Sequence, residues 1–202
     1  MKLRTASLSL LALCLTALPA MAQTVYSNGP INGTTDAWAI NFGIVVSDTF
    51  NVGSGGSTVG GLSFGAWTFP GDILENAEVL INSGGTVYVN QIVSFTQSGC
   101  SGNQYGFDVC TETGSFSPVN LAAGTYWLTL HDAVVNDGDP IYWDENSGPS
   151  SAQQNMVGTI PSEAFTVLGS STTSGTVPEP SNIMLFGSGI LGLAGVLRRN
   201  LF

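Results

Sequence analysis

The 202-residue chain carries a formal charge of −10, with four Lys and Arg against fourteen Asp and Glu. The bases are Lys2, Arg4, Arg198 and Arg199, while thirteen of the fourteen acids, all but Glu179, lie between residues 23 and 177. Salt bridges to Lys or Arg cannot hold such a body. Nucleic acid is excluded as a partner, because Lys and Arg grip phosphate backbones, and anionic lipid headgroups find no basic patch either.

At the start of the chain, Lys2 and Arg4 precede an apolar run over residues 8–18, and Ala20-Met21-Ala22 follows. This pattern predicts a signal peptide over residues 1–22, removed by signal peptidase so that the mature protein begins at Gln23. Cys14 follows Leu13 rather than a small residue, so no lipid attachment is expected there.

Without signal and tail, about 150 residues remain, enough for one domain with a real core. Gly, Ser, Thr and Asn punctuate short runs rich in Val, Ile, Phe, Tyr, Trp and Thr, which predicts an all-β chain. The expected strands are "WAINFGIVV" (38–46), "GLSFGAW" (61–67), "AEVLI" (77–81), "TVYVNQIVSF" (86–95), "YGFDVCTET" (105–113), "TYWLTLHDAVV" (125–135), "IYW" (141–143) and "EAFTVLG" (163–169). "GSGG" at 53–56 lacks the Lys of a phosphate cradle and reads as a hairpin turn. In "NLAAGTYWLTLHDA", alternation puts Tyr126, Leu128 and Leu130 on the core face, and Thr125, Trp127, Thr129 and His131 on the other. Leu121, Gly124 and Tyr126 have a spacing that resembles the tyrosine corner of Greek-key sandwiches, whose hydroxyl ties a crossing loop to the backbone. The stretch also resembles the late strand of exported bacterial jelly rolls, galactose-binding-like modules among them. The expected fold is an antiparallel two-sheet sandwich of jelly-roll or Greek-key type.

Cys100 and Cys110, an even pair in an exported chain, read as one disulfide, with two free thiols as the alternative. His131, the only histidine, lies beside Asp132 and would have to serve any Ser-His-Asp set. Asp144 and Glu145 are adjacent on a strand, so they point to opposite faces and do not make a glycosidase pair by themselves. No P-loop, dinucleotide fingerprint or zinc spacing is present, and no catalytic residue or resident cofactor is expected. In "VVNDGDPIYWDENSG", Asn-Asp-Gly-Asp-Pro reads first as turn chemistry, while Asp137, Asp139 and Asp144 also supply hard oxygen ligands that suit calcium. Trp127, Tyr142 and Trp143 fit either a sugar-stacking platform or a core.

Beyond the expected domain (23–168) comes a Ser/Thr/Gly linker (169–176) and then "VPEPSNIMLFGSGILGLAGVLRRN". The apolar residues 183–197 span only ~22 Å as a helix, short of the ~30 Å hydrocarbon core, and Arg198-Arg199 hold that end on the cytoplasmic side. Val177-Pro178-Glu179-Pro180, a glycine-interrupted apolar helix and the Arg pair Arg198-Arg199 resemble the PEP-CTERM sorting signal of Gram-negative bacteria. The resemblance covers residues 177–202. It implies transient anchoring in the inner membrane by a short transmembrane helix, then processing by an exosortase; an ordinary single-pass anchor is the alternative. Such tails also end some ice-binding proteins, and the body resembles uncharacterised passengers of the same signal. The expectation is a noncatalytic structural or adhesive protein of the cell surface or exopolysaccharide. A carbohydrate-binding or polysaccharide-hydrolysing module, or an ice-binding-type protein, is the alternative.

Overall fold

The computed structural model describes residues 22–170. All but the last residue of the expected signal peptide, the linker beyond Ser170, and the sorting tail with its short helix lie outside the described residues.

The described residues form thirteen strands and no helix: β1 (Thr24–Ser27), β2 (Ala37–Ala39), β3 (Val45–Val52), β4 (Ser57–Thr68), β5 (Leu74–Ser83), β6 (Thr86–Gly102), β7 (Asp108–Leu121), β8 (Gly124–Val135), β9 (Tyr142–Asn146), β10 (Ala152–Gln154), β11 (Gly158–Ile160), β12 (Ser162–Glu163) and β13 (Phe165–Gly169). The main path runs β1-β13-β4-β7-β6-β5-β8-β3-β10-β11, and β9 joins β2, β4 and β12 beside it. Every pairing is antiparallel.

The sheet curls because β6 changes partner along its length. Residues 86–94 pair with β5, and residues 95–102 pair with β7. A strand shared in this way turns one half of the sheet over the other. The halves meet where Tyr26 of β1 lies 6.1 Å, centroid to centroid, from Phe50 of β3.

Alternation builds the core. Val46, Phe50 and Val52 of β3, Ala77, Val79 and Ile81 of β5, and Tyr126, Leu128 and Leu130 of β8 are all buried at every second position. They share one cluster with Val59, Leu62 and Phe64 of β4, Trp143 of β9, and Phe165 and Val167 of β13. The Tyr126 hydroxyl donates to the Ala122 carbonyl at 3.0 Å, the bond the Leu-x-x-Gly-x-Tyr spacing implied. Phe50 stacks on the Tyr126 ring at 5.5 Å.

Turn chemistry corrects the strand boundaries. "WAINFGIVV" is not one strand: the Ile44 amide bonds the Asn41 carbonyl at 3.0 Å, and Phe42 and Gly43 adopt φ of 57° and 79°, so the chain reverses between β2 and β3. "GSGG" does turn, with the Gly56 amide on the Gly53 carbonyl. It is not a hairpin, because β3 pairs with β8 and β10 while β4 pairs with β7, β9 and β13. A true two-residue hairpin joins β5 to β6, where Gly84 and Gly85 both take positive φ, 55° and 82°, between the paired Ser83 and Thr86. Ala164 separates β12 from β13, and β13 runs through Gly169, past the expected domain end at 168.

Candidate functional site

The β6–β7 pair carries the disulfide. Cys100 and Cys110 are bonded, with Cα atoms 4.1 Å apart. Cys100 sits in the irregularity between Ser98 and Ser101 where β6 gains one residue over β7. Beyond it, Asn103 organises the tip: its Oδ1 accepts from the Tyr105 and Phe107 amides, and its Nδ2 donates to the Gly33 carbonyl. An open cleft of about 460 Å³ lies between this tip and the 31–34 loop, lined by neutral polar groups including Asn32, Thr34, Asn103 and Gln104. Next in the chain after the lining residue Gln104, Tyr105, 55% exposed, stacks on Trp67 at 5.6 Å. Phe107 touches Trp67, Phe69 and Tyr142.

Of the three residues expected to gather calcium ligands, Asp144 goes elsewhere. It is wholly buried. Its oxygens accept from the Asn32 amide at 2.8 Å, the Gly33 amide at 2.9 Å and Trp67 Nε1 at 2.6 Å. Burial raises its pKa, against the pull of those three donors. Asp144 is thus a fastener holding the 31–34 loop over β4. Its neighbour Glu145 accepts from Trp38 Nε1 at 3.1 Å.

Asp137 and Asp139 do come together, and their partner is Asp72. One carboxylate oxygen from each of the three lies within 4.8 Å of the others. The arrangement follows from the β5–β8 pairing, which sets the β4–β5 turn beside the β8–β9 turn. Asn136 locks them: its amide donates to the Ile73 carbonyl at 3.1 Å, and its Oδ1 accepts from the Ile73 amide at 2.8 Å. The turn reading of Asn-Asp-Gly-Asp-Pro also holds, since the Gly138 amide bonds the Val135 carbonyl and Gly138 has φ of 87°. Asp72 stands some 65 residues earlier in the chain. No local spacing could have pointed to it; only the strand pairing does.

His131 lies on the outer side of β8, where its Nδ1 is 2.8 Å from Asp132 Oδ2 and its Nε2 is 3.9 Å from Glu78 Oε1. Asp132 takes a left-handed φ of 47°. Among the described residues, the hydrogen bonds of this ring include no Ser, Thr or Cys side chain.

The interior holds more acid than a β core normally admits. Asp48 occupies an inward position of β3 and is fully buried. It accepts from the Glu163 amide at 2.7 Å and the Thr49 amide at 2.6 Å, yet burial still pushes its pKa up to about 6. Asn28 ties the region together, its Nδ2 facing Asp48, Ser150, Ser162 and the Glu163 carbonyl at 2.6–3.2 Å. Glu163 is buried with both carboxylate oxygens unpartnered. Burial, then the charges of Asp48, Glu145, Asp144 and Asp36, push it up to about 10, so the folded protein holds it as a neutral acid at pH 7. Glu112, inward on β7, is also buried and unpartnered, and burial raises it to about 7 against a smaller opposing effect of Gln97.

The aromatic candidates divide. Trp143 is core, in edge contact with Phe64 and Phe165; Tyr142 and Trp127 are half-buried. Among the described residues no helix is long and apolar enough to cross a membrane. Comparison with curated proteins finds no match, and comparison with solved structures finds none. The PEP-CTERM protein-sorting motif matches residues 176–199. That range contains Val177, Pro178, Glu179, Pro180, Arg198 and Arg199, all outside the described residues. The chain therefore carries a PEP-CTERM protein-sorting motif, the mark of an exported protein addressed to exosortase.

Proposed function

We propose that the chain is a noncatalytic passenger of this sorting route, delivered to the cell surface or exopolysaccharide matrix, where its β domain acts as a structural or adhesive component. The observation that carries the reading is the sorting motif at residues 176–199. In this reading signal peptidase frees Gln23, the apolar tail anchors the protein transiently in the inner membrane, and exosortase cuts near Val177-Pro178-Glu179-Pro180. The domain is read as a two-sheet sandwich of Greek-key or jelly-roll type, supported by the tyrosine corner at Tyr126 and the strand shared between the two halves. The engagement of Asp144 and Glu145 in fastening loops, rather than across a groove, favours a structural over a hydrolytic role. The test is fractionation of a host with active exosortase: the chain is expected outside the inner membrane without its tail. A Pro178→Ala, Glu179→Ala, Pro180→Ala variant is expected to stay in the inner-membrane fraction with its tail; release of that variant in processed form would overturn the reading.

A second reading, carbohydrate binding within that matrix, is favoured by one feature. The neutral polar cleft is lined by Asn103 and Gln104, and the next residue along the chain, Tyr105, stacks on Trp67, which also touches Phe107. Sugars bind through such pairings of apolar ring faces with amide and hydroxyl groups. Affinity electrophoresis through gels containing the host polysaccharide tests it: retardation that Tyr105→Ala abolishes supports this reading, and equal mobility with and without polysaccharide removes it.

A further inference from the structure

We propose that Asp72, Asp137 and Asp139 form a calcium site that clamps the β4–β5 turn to the β8–β9 turn. Three carboxylate oxygens lie within 4.8 Å of one another, and a shared Ca²⁺ with oxygens at ~2.4 Å requires separations no greater than that. A second observation sets the cluster apart from a chance gathering of surface acids. Asp72 is only 7% exposed, and its Oδ2 is fully buried with no hydrogen-bond partner. A carboxylate in that state is costly unless a proton neutralises it, as at Glu163, or a cation completes it. No Lys or Arg among the described residues supplies that group, since none occurs between Arg4 and Arg198. The sole histidine is already placed between Asp132 and Glu78.

The electrostatics agree. With their oxygens within 4.8 Å of one another, the three carboxylates set like charges side by side, a repulsion that a bound dication relieves. Asp137 and Asp139 are exposed, which leaves an open side for ion entry and for the waters that fill a calcium shell. Calcium fits better than magnesium: Mg²⁺ demands a tight octahedron at ~2.0–2.1 Å, whereas these ligands sit on two separate turns and suit a larger, more tolerant ion. Three carboxylates on an exported domain point to weak affinity, of order 10⁻⁴–10⁻³ M, as in extracellular calcium modules.

The experiment is calorimetric titration of the full chain, purified in detergent, with CaCl₂ and separately with MgCl₂. Melting curves in CaCl₂, in NaCl of equal ionic strength and in EDTA accompany it. Expected are one calcium per chain and a melting temperature higher in calcium than in matched sodium. Asp72→Asn is expected to weaken binding at least tenfold and to erase the difference between the two salts, while Glu75→Gln, an exposed acid outside the cluster, leaves both unchanged. Should Asp72→Asn fail to fold, Asp139→Asn, at an exposed position, carries the same expectation. Identical melting in calcium and matched sodium, or wild-type calcium affinity in the variants, would overturn the site. Equal affinity for magnesium would overturn its assignment to calcium.

Discussion

Replacing Glu163 by Gln should stabilise the protein at neutral pH and leave it unchanged in acid. The side chain is fully buried and both its oxygens lack partners, and its pKa rises from 4.5 to about 10 on folding. Below pH 4.5 both folded and unfolded chains hold the proton, and Glu163 costs nothing by titration. Above it the unfolded chain releases the proton while the folded chain keeps it, so stability falls with pH by ~1.4 kcal/mol per unit. By pH 7 that loss amounts to about 3 kcal/mol. Gln preserves the volume and does not titrate, so the variant escapes the loss. At ~2–4 °C per kcal/mol for a domain of this size, Glu163→Gln should melt roughly 6–12 °C above the parent at pH 7 and level with it at pH 4.5. Circular dichroism melts of both proteins at the two pH values, in EDTA to remove any cation effect, give the comparison. A variant no more stable than the parent at pH 7 would refute the reasoning, because it would mean that Glu163 is ionised in the fold and compensated there.

The same logic, with Glu112 raised to about 7 and Asp48 to about 6, makes the parent protein more stable at pH 5 than at pH 8; a melting temperature flat or rising over that interval would contradict it. Reducing the Cys100–Cys110 bond, which closes a loop of sequence separation 10, should cost about 2–3 kcal/mol by the loop-entropy estimate, read from urea midpoints with and without reductant. Tyr126→Phe removes the bond to the Ala122 carbonyl and should cost ~1 kcal/mol with little change in the slope of the urea transition. Gly114→Ala should destabilise by roughly 1–3 kcal/mol, since its Cβ would lie 2.6 Å from Val93 Cγ1 and 2.8 Å from Phe95 Cε1; an unchanged urea midpoint would show that β6 yields there.

Much of the domain was legible because alternation is a local signal. Spacing alone places Tyr126, Leu128 and Leu130 on the core face, and the structure buries all three. The Tyr126 bond to Ala122, four residues back, was equally local. What a sequence cannot display is partner choice between distant strands. The "GSGG" turn was visible, but not that β3 and β4 leave it for different halves of the sheet. The break at residues 41–43 is masked by the surrounding β-formers, although Asn41 and Gly43 are turn residues; only the left-handed φ of Phe42 between them is unannounced. Among the acids, Asp137 and Asp139 were legible as neighbours, whereas Asp72 joins them through the β5–β8 pairing. Asp144, close to them in sequence, is drawn by two backbone amides and Trp67 to another part of the fold. Buried Asp48, Glu112 and Glu163 occupy positions where alternation expects apolar residues, so composition gave no warning of them.

The claim that matters most is that this acidic β domain is cargo and its tail an address. Intact-mass spectrometry of the exported protein, from isogenic hosts with and without exosortase, tests it most directly. With exosortase, the expected species begins at Gln23 and ends near Val177-Pro178-Glu179-Pro180; without it, the chain should extend to Phe202 and remain with the membrane. A species ending at Phe202 in the exosortase-positive host, recovered from the inner membrane, would contradict the account and make the tail a permanent anchor.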